Sequence, residues 1–280
     1  TSAVDFLSTT PLIEGDGTFS CLVQQFSQLY IFHALLENGV IFPVLYYLVR
    51  GKNEAIYRRL LTLVEMIARG RGTTILNRTA RFMVDFETSF INAVSEYEVG
   101  RVVSCCFFHF TKNLKEKARP MVQALKRAVG KDSEEVKAAE TLKRALMMLP
   151  LLPEGLVEES VVDITVARWD TAFPERRGHF NELRTHLVRN YVADDARFPK
   201  RHWCVSGRAT RTNNAAESSH ARLNESVHVS GAVSLDMFLF AIETQMRNTS
   251  SEIEAGCQSH TRAVYRRHNE LLAVELADLL

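Results

Sequence analysis

A change of hydrophobic period along the chain constrains its fold more than any other feature. Residues 11–19 (PLIEGDGTF) read as a strand ending in a turn. Residues 26–36 (FSQLYIFHALL) and 40–49 (VIFPVLYYLV) are rich in β-branched and aromatic side chains, with Glu37-Asn38-Gly39 between them as turn chemistry. Two or three antiparallel strands are expected there. From Asn53 the period becomes helical, through Ile56, Leu60, Leu63, Val64 and Ile67, and Gly70-Arg71-Gly72 ends it. A short apolar strand over 80–86, a helix over 88–96, a strand over 101–108 and a basic helix from Thr111 follow. Strands alternating with helices imply an α/β fold whose sheet has parallel members covered by helices. Residues 112–200 then turn almost entirely helix-forming and charged, interrupted at Pro120, Pro150, Pro153, Pro174 and Pro199, with 160–166 the one strand-like run. This stretch reads as a helical insertion in an α/β domain. Helices return over Ala215–Glu225 and Leu235–Met246, and 252–280 are mostly helical in pattern.

A net charge of +1 gives no overall basicity, so any nucleic-acid surface has to come from local clustering. Lys112, Lys115, Lys117, Arg119, Lys126, Arg127 and Lys131 form one cluster, and Arg197, Lys200, Arg201, Arg208, Arg211 and Arg222 a second. Either run alone also reads as a solvated helix face. The five cysteines are an odd number without secreted-scaffold spacing, which suggests reduced thiols in an intracellular compartment. No signal peptide is visible at the polar start. The longest apolar run, Val40–Val49, is too short to span a bilayer, so no membrane association is expected.

Three acids stand at the edges of expected elements: Asp16 after the first strand, Asp85 at the end of a later one, Glu217 in the first turn of a late helix. Carboxylates from separate segments suit Mg²⁺, which takes oxygen ligands and keeps positions open for water and phosphate. Each acid also has a plainer reading. Asp16-Gly17 is a common turn signal. Asp85-Phe86-Glu87 fits a helix N-terminus, where acids favour the dipole. Asn214 and Glu217 have the spacing of a capping box. Cys106-Phe107-Phe108-His109 is half a zinc signature without a second half at finger spacing, so Zn²⁺ there is not expected, and a buried Cys with a satisfied His is the better reading. His220 follows Glu217 by three residues on one helix face, as a phosphate or water contact or simply as a surface residue. Trp169 and Trp203 are read as packing residues rather than base-stacking ones.

Taken together, the motifs carry a resemblance. DGTF at 16–19, QLY at 28–30, YRRLLTLV at 57–64, the DFE of 85–87, CCFFHF at 105–110 and RTNNAAESSHARLN at 211–224 are similar, in order, to the blocks of the Mutator-like (MULE) transposase domain. The resemblance runs from about residue 11 to 225. It implies a ribonuclease H-like mixed sheet flanked by helices, a large helical insertion before the last catalytic acid and a helical C-terminal region. Its boundaries are a core in two parts, 1–118 and 205–250, an insertion over 119–204 and a tail over 251–280. By motif, Asp16, Asp85 and Glu217 take the catalytic, metal-holding positions of a DDE triad, with two Mg²⁺ or Mn²⁺ ions. Cys106, His109, His220, Asn213 and Asn214 take site-supporting positions. The implied partner is double-stranded DNA, at transposon ends and target, and the implied location the nucleus. The oligomeric state stays open, a homo-oligomer included.

Lys112, Lys115, Arg119, Arg208 and Arg211 are the candidates for backbone phosphate contacts. Two departures from the family stand out. The segment SEYEVGRVV at 95–103 is short, and no amino-terminal zinc-type DNA-binding module precedes the first block. Two rival readings keep the fold and change the activity. One is a domesticated, catalytically silent DNA-binding or regulatory protein. The other is a nuclease that cuts without strand transfer.

Overall fold

The computed structural model describes residues 3–18, 26–35, 41–75, 81–96, 102–227 and 234–254. The elements run α1 (Ala3–Thr9), β1 (Leu12–Thr18), β2 (Gln28–Leu35), β3 (Ile41–Val49), α2 (Glu54–Gly70), β4 (Arg81–Val84), α3 (Thr88–Ser95) and β5 (Val102–Cys105). There follow α4 (Phe107–Val129), α5 (Glu134–Met147), α6 (Glu159–Ala172), α7 (Asn181–Leu187), α8 (Lys200–Trp203), α9 (Asn214–Val227) and α10 (Leu235–Glu254). The fold is α/β, with both antiparallel and parallel strand pairs flanked by helices. The chain forms two compact units: residues 1–80, 96–100 and 214–280, and residues 81–95 and 101–213. The turn expected at Glu37-Asn38-Gly39 and the tail beyond Glu254 lie outside the described residues.

The first unit is built on three antiparallel strands. β1 pairs with β2 from Ile13↔Ala34 to Thr18↔Leu29, and β2 pairs with β3 from Gln28↔Val49 to Leu35↔Ile41, with an irregularity at Phe32/His33. Alternation sorts β1 into two faces. Ile13, Gly15 and Gly17 share one face with Tyr30 and Phe32, and α2 packs there through Tyr57, whose ring centroid is 5.3 Å from that of Tyr30. The glycines make room for their neighbours. A Cβ on Gly17 would lie 1.5 Å from Gln28 Nε2, and one on Gly15 3.0 Å from the Tyr30 hydroxyl. Glu14, Asp16 and Thr18 lie on the other face with Leu29, Ile31 and His33, beneath α9 and α10. Leu29, Ile31, Leu223, Phe238, Ala241 and Ile242 form the core there. Each leucine, isoleucine or phenylalanine of this core, fully buried, contributes about 1.5–3 kcal/mol.

The helix expected from Asn53 is present as α2, but it buries Tyr57, Leu60, Leu61, Val64 and Ala68, while Leu63 and Ile67 of the expected run are exposed. Asn53 caps it, accepting from the Ile56 N–H at 3.0 Å, and it ends at Gly70 with Gly72 at a φ of 73°. Asp16-Gly17 is not a turn. Both residues sit inside β1, opposite Ile31 and Tyr30, so the acid lies within the strand rather than after it. Strand pairing overrode the local turn preference of Asp-Gly.

In the second unit β4 and β5 are parallel, in register from Arg81↔Val102 to Val84↔Cys105. The parallel connection uses α3 as its crossover. β5 is shorter than expected, and the helix expected from Thr111 begins at Phe107 with Cys106 as its N-cap residue. Pro120 does not interrupt α4, which runs through it for 23 residues. Phe110, Leu114, Ala118, Val122 and Leu125 line one buried stripe across the proline and hold the helix in place. Residues 160–166 are helical, within α6, because Val162, Val166 and Trp169 face inward at helical spacing. Trp203 is fully buried. It stacks on Phe110 at 5.1 Å and donates its indole N–H to the Tyr191 and Phe198 carbonyls at 3.2 and 3.0 Å. Trp169 packs edge-on against Phe180 at 4.9 Å. Both tryptophans are core residues, as expected.

Candidate functional site

The strand face carrying Asp16 holds an unusual concentration of buried polar side chains. Asp16 is 6 % exposed, Glu14 and His33 are fully buried, and His220 of α9 is 8 % exposed. Glu14 and His33 are cross-strand partners. The His33 and His220 rings lie 6.3 Å apart, and His220 Nδ1 is 3.6 Å from Asp16 Oδ2. The other Asp16 oxygen, Oδ1, accepts the Gly17 N–H at 2.9 Å. His220 is thus buried against the first acid, not a surface residue.

The protonation states follow from burial. Desolvation lowers His220 to about 4. Its ring is neutral at pH 7, so the approach to Asp16 is a contact rather than an ion pair, and 3.6 Å is too long for a hydrogen bond. Burial, followed by the neighbouring His220 imidazole, lowers His33 to about 3, with the Glu14 backbone offsetting a part. Neither ring nitrogen of His33 has a hydrogen-bond partner among the described residues. Glu14 and His33 were not singled out from the sequence. The signal was a polar residue inside each of two otherwise apolar runs, Glu14 in PLIEG and His33 in YIFHALL.

α9 starts at Asn214, so Asn214 is its first residue and Glu217 its fourth. This is one residue out of register for the capping box expected from Asn214 and Glu217. The Glu217 side chain is partly exposed, with no hydrogen bond or ion pair among the described residues. It stands one turn before His220 on the same helix.

In the second unit Asp85 follows β4 and Cys106 follows β5, at the carboxyl ends of a parallel pair. This is where ligand sites of parallel sheets form. Asp85 Oδ1 accepts the Glu87 N–H at 3.0 Å, and Glu87's carbonyl accepts from Phe90 and Ile91 at 3.1 and 3.0 Å. The DFE segment therefore opens α3, as its plainer reading expected, with one Asp85 oxygen taking part. Burial, and then the Asp85 charge, push the Cys105 thiol well above its ordinary value.

Cys106 and Asn213 are brought together across 107 residues of sequence. The thiol donates to Asn213 Oδ1 at 2.9 Å and accepts the Asn213 N–H at 3.5 Å. The Phe107 N–H donates to the Arg211 carbonyl at 2.9 Å. These bonds tie the start of α4 to the TNN segment that leads into α9. Among the described residues Cys105, Cys106 and Cys204 form no disulfide.

The basic candidates divide in two. Lys112, Lys115 and Arg119 are exposed along one face of α4, and Arg119 lies 3.9 Å from Glu116. Arg208 is partly buried and donates to Ser104 Oγ at 2.6 Å and to the Arg201 carbonyl at 3.0 Å. Arg211 donates through Nε to the Arg208 carbonyl at 2.9 Å. The two arginines brace the segment before α9 as well as carrying charge.

Among the described residues no three His, Cys, Asp or Glu side chains form a ready-made cation cage. A Mg²⁺ site needs only one or two carboxylates, with water and phosphate completing the shell. No described helix is long and apolar enough to cross a membrane. Fold and site define an α/β protein with buried carboxylate and imidazole groups on one strand face. No family model and no curated protein matches the chain.

Proposed function

We propose that the chain is the catalytic domain of a DDE-type, MULE-like transposase with a ribonuclease H-like core, cleaving and joining DNA strands in a metal-dependent reaction. The observation that carries this reading is the approach of Asp16 on β1 to His220 on α9, one turn from Glu217. Two of the three motif acids thereby belong to one packed strand–helix pair. The donor set fits a hard cation. Asp16 offers carboxylate oxygen, Glu217 carries no internal partner among the described residues, and the neutral His220 does not compete as a cation for Asp16.

Asp16 and Glu217, with Asp85 as the third motif acid, would hold Mg²⁺ or Mn²⁺. Bound, the metal supplies an activated oxygen nucleophile and stabilises the departing oxygen. The chain's own part is positional. Gly17's N–H orients Asp16, packing of α9 orients His220 and Glu217, and exposed Lys112, Lys115 and Arg119 offer phosphate contacts. Double-stranded DNA is the partner and the nucleus the place of action in this reading.

The test is a nicking and strand-joining assay on end-bearing duplex DNA with Mg²⁺ or Mn²⁺. Glu217→Gln is expected to lower cleavage on the order of a thousandfold, with unchanged circular dichroism. Full activity in that variant overturns the site. Salt-sensitive DNA binding without metal-dependent nicking in the parent protein favours the catalytically silent reading, and nicking without joined product favours the nuclease.

A further inference from the structure

A cavity of about 480 Å³ in the second unit is lined by Arg189, Asn190, Asp195 and Arg197. None of these was among the candidate phosphate contacts. Its wall is a π-helical turn over Val188–Val192, closed by the Ala193 N–H bond to the Val188 carbonyl at 2.9 Å. Such turns are rare and are frequently found at functional sites. The opposite wall is held against it by the Phe198 N–H bond to the Asn190 carbonyl at 2.9 Å and the Arg197 N–H bond to the Arg189 carbonyl at 3.4 Å.

The charges in the cavity do not cancel. Two guanidinium groups face one carboxylate, and neither arginine has an ion-pair partner within 4.0 Å among the described residues. Arg197 is pre-positioned. Its Nε and Nη2 donate to Thr88 Oγ1 at 3.2 and 2.9 Å, and its guanidinium lies 5.2 Å from the Phe198 ring centre. Thr88 is the first residue of α3, three beyond Asp85. The anchored arginine therefore stands at the amino end of a helix, where the backbone dipole also favours an anion. Two arginines lining one site supply the charge and the hydrogen-bond donors that a phosphate group takes.

We infer that the cavity between Arg189 and Arg197 binds a backbone phosphate of duplex DNA next to the DFE segment. The phosphate chemistry stands on the cavity itself, and DNA as its source rests on the transposase reading. Asp195, at the rim of the same cavity, moderates the affinity.

Duplex binding by the full chain is measured by fluorescence anisotropy between 50 and 200 mM salt, together with binding of inorganic phosphate by calorimetry. Arg189→Gln, at an exposed arginine with no side-chain bond among the described residues, and Arg197→Ala are each expected to weaken duplex binding roughly tenfold. Each should also reduce the salt dependence by about one phosphate contact. Asp195→Asn is expected to tighten it. If the parent binds duplex and all three variants match it, the cavity is not a phosphate site and the transposase reading is untouched. If the parent binds no duplex but takes inorganic phosphate through both arginines, the phosphate site stands and the transposase reading falls. Binding of neither overturns the inference.

Discussion

Gly17 shows how a residue can carry a motif for a reason its neighbours in sequence do not reveal. In the DGTF block it stands beside a candidate catalytic acid, and Asp-Gly alone suggests a turn. In the structure it lies within a strand, next to its last residue, with the buried Gln28 side chain packed over it. Gln28 cannot swing away freely, since its Oε1 accepts the Tyr57 hydroxyl at 3.2 Å. Gly17→Ala should therefore cost about 1–3 kcal/mol through overpacking. Urea unfolding followed by circular dichroism measures this, and an unchanged midpoint would mean that Gln28 yields. Cys106 makes a similar point. It reads as half a zinc signature, whereas its thiol bonds to Asn213, a partner 107 residues away that no local pattern could have supplied.

At the scale of elements, long amphipathic segments were legible and their edges were not. α2 and α4 declare themselves by apolar spacing. The sequence pattern puts the start of α4 four residues late, because Cys106-Phe107-Phe108 extends the apolar run of β5 and looks like more strand. Pro120 looked like a breaker, yet the buried stripe on both sides of it outweighs one missing hydrogen bond and a strained turn. Pro120 is exposed, so its replacement sacrifices little packing. Pro120→Ala should restore the N–H bond to the Glu116 carbonyl and raise stability by about 1–3 kcal/mol. A thermal melt reads this directly, and a lowered midpoint would show that the helix depends on a proline bend.

For the molecule as a whole, the buried histidines make stability depend on pH. His33 and His220 are held neutral in the folded chain, near 3 and 4, whereas an unfolded histidine titrates near 6.5. Between those values the unfolded state binds more protons, so stability is full above about pH 6.5 and is lost as pH falls toward the folded values. From pH 7.5 to 5.0 each histidine withdraws up to about 2 kcal/mol. The urea midpoint is expected to fall over that range in metal-free protein, and His33→Leu should flatten the fall. An equally steep fall in the variant would assign the acid sensitivity elsewhere. Trp169 and Trp203 both belong to the second unit, so their fluorescence follows that unit, while circular dichroism follows both.

The sequence by itself determined the period of each segment. Three antiparallel strands, the parallel pair and the helical stretch that follows all arise from side-chain alternation and spacing, which act over a few residues. It also placed the acids in their motifs. Tertiary structure alone decided what those residues face. Asp16 is buried because β1 pairs on β2 beneath α9, His220 loses its charge because packing removes water from it, and Arg197 is aimed by a threonine 109 residues away. Burial and long-range contacts are properties of the assembled chain, since desolvation and hydrogen-bond partners exist only once distant segments meet.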